Sequence, residues 1–196
     1  MAIMTLPFSI YSSLTFSPAL PLRYGTYSNS AELGYYTKFV LRYSTAWWSK
    51  SGLSGVMQSL HGPVGITRGV CYVKNRRFTL TGFIMGESGT RWAALPPKAR
   101  REQLLQQIAQ LLGSSEALHL LEVLEYDWKL DKYSQGAPTT FMKDASVLSR
   151  FEKQFKLPWR RLCFAGADLA ENWRGYVEGA LESGEFAARK VEECLR

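Results

Sequence analysis

The chain has 196 residues, of which 46% are hydrophobic and 21% charged, so it can bury a core in one domain or in two small ones. No run of 18 apolar residues is present, which excludes a membrane-spanning helix. The formal net charge is +7, but the basic residues form short clusters at 74–77, 98–101 and 160–161 and no continuous stripe. We therefore expect a solvated basic surface and no nucleic-acid site.

The first half of the chain is rich in predicted strands. We expect a short strand at 1–10, a Ser/Pro-rich connection that ends near Pro21, and a strand at 35–43 with many β-branched and aromatic residues. Further strands are predicted at 64–67 and 78–85. Gly69 and the Lys74-Asn75 pair lie between these two strands and indicate a β-meander.

The strongest helix signal lies at 97–112, PKARREQLLQQIAQLL. Pro97 suits the first turn and Gly113 suits the residue after the last. Five apolar residues are spaced to share one face of this helix: Leu104, Leu105, Ile108, Leu111 and Leu112. A strand at 118–126 and a shorter helix at 146–155 are predicted to follow.

The last forty residues predict a strand at 161–166, a polar and acidic loop, and a final helix. The helix carries a stripe of small and apolar residues: Val177, Ala180, Leu181, Gly184, Ala187, Ala188 and Val191. Small residues let a helix lie close to a sheet or to a ligand. Periodicity alone does not distinguish these two possibilities.

The N-terminal segment and the cysteines indicate the cellular compartment of the protein. Cys71, Cys163 and Cys194 form neither a disulfide framework nor a CxxC motif, which favours a reducing compartment and predicts no metal site. The opening 22 residues lack a basic start and are interrupted by Pro7, so we expect mature structure and no signal peptide. We expect an intracellular, soluble protein, most simply a cytoplasmic one.

The segment 164–191, FAGADLAENWRGYVEGALESGEFAARKV, resembles the C-terminal FAD-contacting segment of the flavin-containing amine oxidases, in their monoamine oxidase branch. The matching groups are Phe164-Ala165-Gly166, Trp173-Arg174-Gly175-Tyr176, Glu178-Gly179-Ala180 and the Ser-Gly-x-x-Ala-Ala run at 183–188. Segments 6–21, 34–48, 82–113 and 126–142 resemble further parts of the family, and 68–77 matches least well.

The resemblance implies an α/β (α+β) fold. It comprises a mixed β-sheet substrate domain with a long helix, joined to the C-terminal strand-helix part of an FAD-binding domain. Residues 1–27 correspond to a returning segment of the FAD-binding domain, 28–130 to the substrate-binding domain, and 131–196 to the C-terminal part of the FAD-binding domain.

The resemblance also implies site residues. Lys38 corresponds to a lysine that holds a water near flavin N5, and Tyr176 to one wall of an aromatic cage that steers the amine, so both are candidate catalytic residues. Phe141 joins Tyr176 as a candidate substrate contact. The candidate cofactor contacts are Trp128, Ala137, Gly166, Ala167, Asp168, Trp173, Gly175 and Tyr176. Without the resemblance, Lys38 would be placed on a solvated strand face, and Trp128 and Tyr176 in or beside a core.

In the family, the final helix points at the pyrimidine edge of the flavin. A helix N-terminus carries about half a positive charge and unpaired N–H groups, which stabilise negative charge on the reduced ring. Gly175 would allow the backbone to approach a flat ring closely. This helix start is therefore the centre of the predicted cofactor site.

Several positions depart from the family pattern. Ala137 replaces the cysteine that tethers FAD in animal monoamine oxidases, so the cofactor is expected to be held non-covalently. Pro138 replaces the second cage aromatic, and Ala167-Asp168 replaces a Thr-Glu pair. No G-x-G-x-x-G motif is present, so we expect a partner chain or a longer form to hold the pyrophosphate.

The predicted function is FAD-dependent oxidation of an amine to an imine and then an aldehyde, with O2 as the electron acceptor, in a truncated family member acting in small-molecule biosynthesis. The alternative is a non-catalytic or repurposed binding protein that no longer binds FAD. A third reading is a product that folds poorly because half of a flavin domain leaves sheet edges open.

Overall fold

The computed structural model describes residues 1–143, 146–147 and 155–196. They form two compact units. The continuous unit is Tyr35–Asp131, and the split unit combines Met1–Gly34 with Lys132–Arg196. Each unit has a hydrophobic core of its own.

Strands and helices alternate irregularly along the described residues, as expected for a mixed α/β fold. The strands are β1 Ala2–Met4, β2 Ala31–Leu33, β3 Tyr36–Tyr43, β4 Met57–Gln58, β5 Val64–Tyr72, β6 Arg77–Met85, β7 Glu122–Asp127, β8 Thr140–Met142 and β9 Leu162–Phe164. The α-helices are α1 Leu22–Ser30, α2 Trp47–Lys50, α3 Gly86–Ala93, α4 Pro97–Leu112 and α5 Val177–Leu195. The predicted fold class is confirmed.

The continuous unit is built on a five-stranded antiparallel sheet with the order β4-β5-β6-β3-β7. Strand β3 lies between β6 and β7, and its burial alternates along the chain. Phe39 and Leu41 are fully buried, whereas Lys38 and Arg42 are exposed. One face of the sheet therefore forms the core and the other carries polar and charged side chains.

Helix α4 contributes to the core of this unit, and its bounds match the predicted ones. Pro97 lies in the first turn, and Gly113 ends the helix in the left-handed conformation, with φ at +64°. Leu104 and Ile108 are fully buried in the core cluster that contains the apolar residues of β3. Leu111, near the end of the same face, is 43% exposed, so burial along this face is not complete.

The split unit pairs strands that lie far apart in the sequence. Strands β1 and β9 are parallel, with Ala2 opposite Leu162, and β2 and β8 are antiparallel, with Leu33 opposite Thr140. The backbone N–H of Ala165 donates to the Met4 carbonyl at 2.9 Å, which extends the parallel pair beyond its last residue. Each strand of the parallel pair depends on the other for its backbone hydrogen bonds.

Aromatic rings fill the core of the split unit. The Phe155 ring centroid lies 4.5 Å from those of Phe8 and Tyr27, 4.8 Å from that of Tyr24 and 5.3 Å from that of Phe164. Most of these pairs meet edge to face, which is the favourable arrangement for aromatic quadrupoles. This cluster joins residues from the first 27 positions to residues from 155 onward.

The first 30 residues differ most from the prediction. Strand β1 ends at Met4, and a 3-10 helix at Phe8–Ser13 follows because Pro7 interrupts the extended backbone. The expected Ser/Pro-rich connection ends at Pro21, and helix α1, which sequence analysis did not predict, begins at the next residue. Tyr24 and Tyr27 bury one face of α1, and the Ser28 hydroxyl donates to the Phe8 carbonyl at 2.6 Å.

Two further strands have different bounds. The strand predicted at 64–67 continues to Tyr72, and the one predicted from 118 begins at Glu122 because Leu118 ends a 3-10 helix. The helix predicted at 146–155 falls for the most part outside the described residues.

The final helix packs through a narrower stripe than predicted. Its buried residues are Gly179, Ser183 and Ala187, four positions apart, whereas Val177 is 79% and Leu181 59% exposed. A Cβ at Gly179 would overlap the carbonyl oxygen of Trp173. The smallest residues therefore decide which face of α5 lies against the rest of the unit.

Candidate functional site

The split unit has a cavity of about 170 Å3 where β1 and β9 end. We call it the strand-end cavity, and it is lined by residues 5–8, Leu33, residues 138–139 and residues 165–169. Both strands are parallel, so their carboxyl ends open at the same edge. Ligands of α/β proteins commonly bind outside this edge.

Gly166 lines the strand-end cavity. Its φ is +149°, and a Cβ added there would find no atom nearer than the Thr5 carbonyl oxygen at 4.0 Å. Its backbone N–H donates to the hydroxyl of Ser183 on α5 at 3.1 Å. The backbone is therefore open toward the cavity, while its polar group is satisfied by the helix behind it.

Asp168, which lines the cavity, is hydrogen-bonded to the first residue of β8. Its carboxylate accepts from the Thr140 hydroxyl at 2.6 Å and from the Thr140 N–H at 3.4 Å. Burial, together with the negative charge of Asp168, raises the pKa of the nearby Tyr11 phenol. The carboxylate thus fastens β8 to the loop after β9, a role that sequence analysis did not predict.

The start of α5 is held against the same loops. The Gly175 N–H donates to the Ala167 carbonyl at 3.1 Å, and its φ of +81° suits glycine. A Cβ at Gly175 would lie 2.5 Å from the methyl group of Thr139, which lines the cavity. The helix start therefore packs closely against the cavity border.

Aromatic side chains stand exposed at this helix start. The rings of Trp173 and Tyr176 lie 6.2 Å apart at 86°, and each side chain is 66% exposed. Tyr176 is the N-cap residue, and its side chain makes no capping hydrogen bond to the first turn of α5. The N-terminal end of α5 is thus bordered by aromatic rings, as the sequence suggested.

Two other predicted residues lie just before β8 or within it. The Ala137 N–H donates to the Gly34 carbonyl at 3.1 Å, next to Pro138 in the cavity lining. Phe141 lies within β8 opposite Glu32 and is half exposed. Phe141 does not line the strand-end cavity.

Lys38 and Trp128 belong to the continuous unit. Lys38 is exposed in the middle of β3, and its Nζ lies 6.0 Å from the Phe83 ring centroid. Its neighbour on the other side is Tyr126, whose ring meets that of Trp128 at 4.8 Å. A cavity of about 310 Å3, which we call the sheet-face cavity, is lined by Lys38, residues 66–68 and residues 81–83.

Within the split unit, the predicted residues Ala137, Gly166, Ala167, Asp168 and Gly175 all lie at or beside the strand-end cavity. Sequence analysis missed Thr139, Thr140 and Ser183, which shape this cavity, and Arg68, which lines the sheet-face cavity. The Ser-Gly pair at 183–184 was part of the matched pattern, but nothing in the sequence paired Ser183 with Gly166. That hydrogen bond joins residues 17 positions apart.

A parallel strand pair with a cavity at its carboxyl edge and a glycine-bordered helix start is the arrangement of a cofactor-binding α/β protein. The family model of the flavin containing amine oxidoreductases matches residues 1–192, so this chain belongs to that family. The resemblance seen in the sequence is thereby confirmed.

Individual relatives agree with this assignment. Flavin-containing amine oxidase B of Homo sapiens is 30% identical over 195 residues, and amine oxidase A of Bos taurus is 29% identical over the same length. Both alignments cover 98% of this chain but 37% of the relative. The chain therefore spans little more than a third of these proteins.

Solved structures show the same fold. Cyclohexylamine oxidase from Brevibacterium oxydans is 28% identical with a TM-score of 0.88, over 99% of this chain and 43% of that one. A triple mutant of putrescine oxidase redesigned in cofactor binding is 25% identical with a TM-score of 0.87, over 98% and 42% of the two chains. Among the described residues of our chain, no helix is long and apolar enough to cross a membrane.

The family implies a flavin cofactor, and the strand-end cavity fits one part of it. Its lining is mostly small or apolar, and the bare Gly166 leaves room for a flat ring. Asp168 is the one charged side chain among the described lining residues, so the cavity offers no cation for a pyrophosphate. The described lining residues therefore suit a flat, uncharged ring.

Proposed function

We propose that this chain forms part of an FAD-dependent amine oxidase. The observation that carries the proposal is the strand-end cavity, which is lined by the bare Gly166 and by Thr139, the residue against which Gly175 packs just before α5. Membership of the family and the likeness to cyclohexylamine oxidase support it. In this proposal residues 1–27 and 131–196 contribute to flavin binding, and residues 28–130 bind the substrate, as the sequence predicts.

When bound, the flavin would accept a hydride equivalent from the C–N bond of an amine and pass the electrons to O2. In this proposal Gly166, Ala167 and Gly175 let the backbone approach the ring, and Ala137 lies at its edge. Asp168 acts through Thr140, because its carboxylate already accepts two hydrogen bonds there. It therefore positions the loop that carries Pro138 and Thr139.

The aromatic residues would orient the cofactor and the substrate. Tyr176 and Trp173 have exposed rings at the start of α5, and the helix N–H groups there favour negative charge on a reduced ring. Phe141 and Tyr176 are proposed to contact the substrate, and Trp128 the flavin. Lys38 is proposed to hold the water that receives and returns protons during reoxidation.

The cofactor would be held without a covalent bond, because Ala137 offers no thiol. Its pyrophosphate would be held by a glycine-rich unit on a partner chain or in a longer form, since the sequence contains no G-x-G-x-x-G. We further propose that the protein is intracellular and cytoplasmic, and that it acts in small-molecule biosynthesis. The three cysteines are free, which suits a reducing compartment.

FAD binding tests the proposal directly. The purified chain is titrated with FAD, alone and with a separately produced glycine-rich dinucleotide-binding fragment of a relative, and protein-bound flavin absorbance is measured. We expect weak binding by the chain alone and stoichiometric yellow complex with the fragment. A folded chain that stays colourless in both mixtures would refute the oxidase and favour the non-catalytic binding protein.

A thiol at position 137 tests where the flavin lies. In the reconstituted complex, Ala137→Cys is expected to retain flavin after acid precipitation, because a thioether can form. Ser134→Cys, with the same thiol three positions upstream, is the control and should release its flavin. Equal release by both variants would remove Ala137 from the ring edge.

The role of Lys38 is tested on the same complex. Lys38→Met is expected to slow the reoxidation of reduced flavin by O2 at least 10-fold in stopped-flow absorbance, because the water loses its lysine partner. Arg42→Met, on the same face of β3, is the control. Unchanged reoxidation in Lys38→Met would exclude this lysine from the reaction.

A further inference from the structure

The sheet-face cavity of the continuous unit contains two cations. Lys38 on β3 and Arg68 on β5 both line it, and the other described lining residues are uncharged. Its volume of about 310 Å3 suits a small molecule. An amine substrate that is itself protonated would meet two like charges in this cavity.

The sheet register separates the two cations by one strand. Lys38 is opposite Phe83 on β6, and Arg68 is opposite Thr81, two positions earlier on the same strand. Two strand spacings and a two-residue offset place the Cα atoms of Lys38 and Arg68 about 12 Å apart. Long side chains from both edges can therefore reach one molecule that lies over β6.

Neither cation is neutralised by the described part of the chain. No ion pair joins Lys38 or Arg68 to a described carboxylate, whereas Glu122 on β7 is held by Arg42 at 2.9 Å. Asp131 accepts from the Tyr126 hydroxyl at 2.7 Å. The acids near this face of the sheet are thus engaged by other partners.

The hydroxyl groups of the lining do not compete with the cations as donors. Thr67 donates to the Gly55 carbonyl at 2.8 Å, and Thr81 donates to the Phe39 carbonyl at 3.1 Å. Lys38 and Arg68 therefore supply the cavity's available side-chain N–H groups. A guanidinium presents a planar pair of donors that matches the two oxygens of a carboxylate.

We propose that the sheet-face cavity binds amines that carry a carboxylate, and that Arg68 is the residue that selects them. The carboxylate offsets the repulsion between the ammonium group and the two cations, and it gives the guanidinium a bidentate partner. This inference rests on the proposed function for the fate of the amine. The recognition step itself requires no flavin.

Three probes that share a phenylethyl group test the selection on the flavin-free chain. Phenylalanine carries an amine and a carboxylate, 3-phenylpropanoate only the carboxylate, and 2-phenylethylamine only the amine. Titrations to millimolar concentration are followed by NMR, with the amides of Thr81 and Gly82 as local reporters. We expect both carboxylates to shift these amides and to bind at least about 10-fold more tightly than 2-phenylethylamine.

Charge variants identify the residue responsible. Arg68→Gln is expected to weaken phenylalanine binding about 10-fold or more and to remove the preference over 2-phenylethylamine. Arg68→Lys keeps the charge but loses the planar donor pair, so an intermediate affinity is expected. Arg76→Gln, an exposed cation outside the cavity, is the matched control and should bind like the parent chain.

Equal binding of 2-phenylethylamine and phenylalanine would overturn the proposal, as would unchanged selectivity in Arg68→Gln. Failure of all three probes to shift the reporter amides would overturn it too. These outcomes are independent of FAD. A chain that selects carboxylates but never binds flavin would keep the recognition site and lose the oxidase function.

Discussion

The two units of this chain achieve their cores by different routes. The continuous unit uses neighbouring segments of one stretch of chain, and β5, β6 and β3 pair with their partners in long antiparallel ladders. The split unit holds three-residue strands together with an aromatic cluster drawn from both ends of the sequence. Backbone ladders dominate the first architecture, and side-chain packing dominates the second.

This difference predicts how strongly the loss of one contact destabilises each unit. A long ladder distributes its hydrogen bonds over eight or nine residues per strand. The split unit relies on a few rings that touch one another. A single aromatic substitution there should lower the stability of the whole split unit. It should also disturb the cavity at the ends of β1 and β9.

The largest expected effect comes from Phe155→Ala, which removes the ring at the centre of the aromatic cluster. Loss of such a ring costs about 3–5 kcal/mol of unfolding free energy. Native-state hydrogen exchange should show lower protection of β1 and β9 amides. Leu80→Ala, at a fully buried position of β6, is the matched change in the other core and should cost about 2–5 kcal/mol with its loss centred on β3 and β6.

The set of amides that lose protection from hydrogen exchange shows whether the two units unfold separately. If Phe155→Ala and Leu80→Ala lower protection equally in both units, then the two cores unfold as one cooperative structure. Separate effects would show two cooperative units within one chain.

Alkaline pH distinguishes the units through one buried tyrosine in each. Burial raises the pKa of Tyr11 in the split unit and of Tyr43 in the continuous unit above the ordinary value of 10.0. Above pH 10 the unfolded phenols lose their protons while the folded ones keep theirs, so the stabilising contribution is present below pH 10 and is lost as pH rises. Each tyrosine then lowers the unfolding free energy by about 1.4 kcal/mol per pH unit.

Urea unfolding between pH 9 and pH 11.5 measures this slope. Tyr11→Phe and Tyr43→Phe should each make the decline shallower, although Tyr43→Phe also loses the hydrogen bond to the Ala117 carbonyl and starts from lower stability. Tyr72→Phe, at a side chain that is 62% exposed, is the control. An unchanged slope in both buried variants would contradict the assigned cause.

A smaller effect is expected from two glycine substitutions in the split unit. Gly175→Ala places a Cβ at positive φ and close to Thr139, and should lower the unfolding free energy by about 1–2 kcal/mol. Gly184→Ala, where a Cβ meets nothing within 4 Å inside α5, should raise it by about 0.5–1 kcal/mol. Thermal unfolding of both variants measures whether Gly175→Ala lowers and Gly184→Ala raises the unfolding free energy. A stabilising Gly175→Ala would show that the backbone at position 175 does not require glycine.

The smallest effect is predicted for the ion pair between Arg42 and Glu122. It joins β3 to β7 at 2.9 Å, but both side chains are nearly half exposed, so water screens the attraction. Arg42→Gln should change the unfolding free energy by less than about 1 kcal/mol in urea titrations. A larger loss would mean that the edge of the ladder depends on this pair.

Sequence patterns predicted α4 and four of the five strands of the continuous unit because their signals are local, whereas α2, α3 and β4 were not predicted. Pro97 and Gly113 mark both ends of α4, and the alternation along β3 needs no knowledge of partners. Strand bounds were less accurate where turns intervene. Leu118 was assigned to a strand but lies in a 3-10 helix, which the neighbouring Ser114 caps through its side chain.

The split unit was harder to predict because distant partners decide its structure. Helix α1 has the sequence LRYGTYSNS, which is poor in helix-forming residues, and it forms because Tyr24 and Tyr27 bury against rings from elsewhere. Strand β8 has only three residues and no strong pattern. The cavity glycines were found through their resemblance to a family, whereas Ser183 and Thr140 are recognisable only from their contacts.

The pairing of β1 with β9 has a consequence for synthesis of the chain. Ile3 leaves the ribosome 160 residues before its partner Cys163, since 163 minus 3 is 160. At about 5–20 residues per second, the nascent strand waits roughly 10–30 s for its match. The region from Tyr35 to Asp131 can therefore complete its own sheet before β1 meets its partner strand.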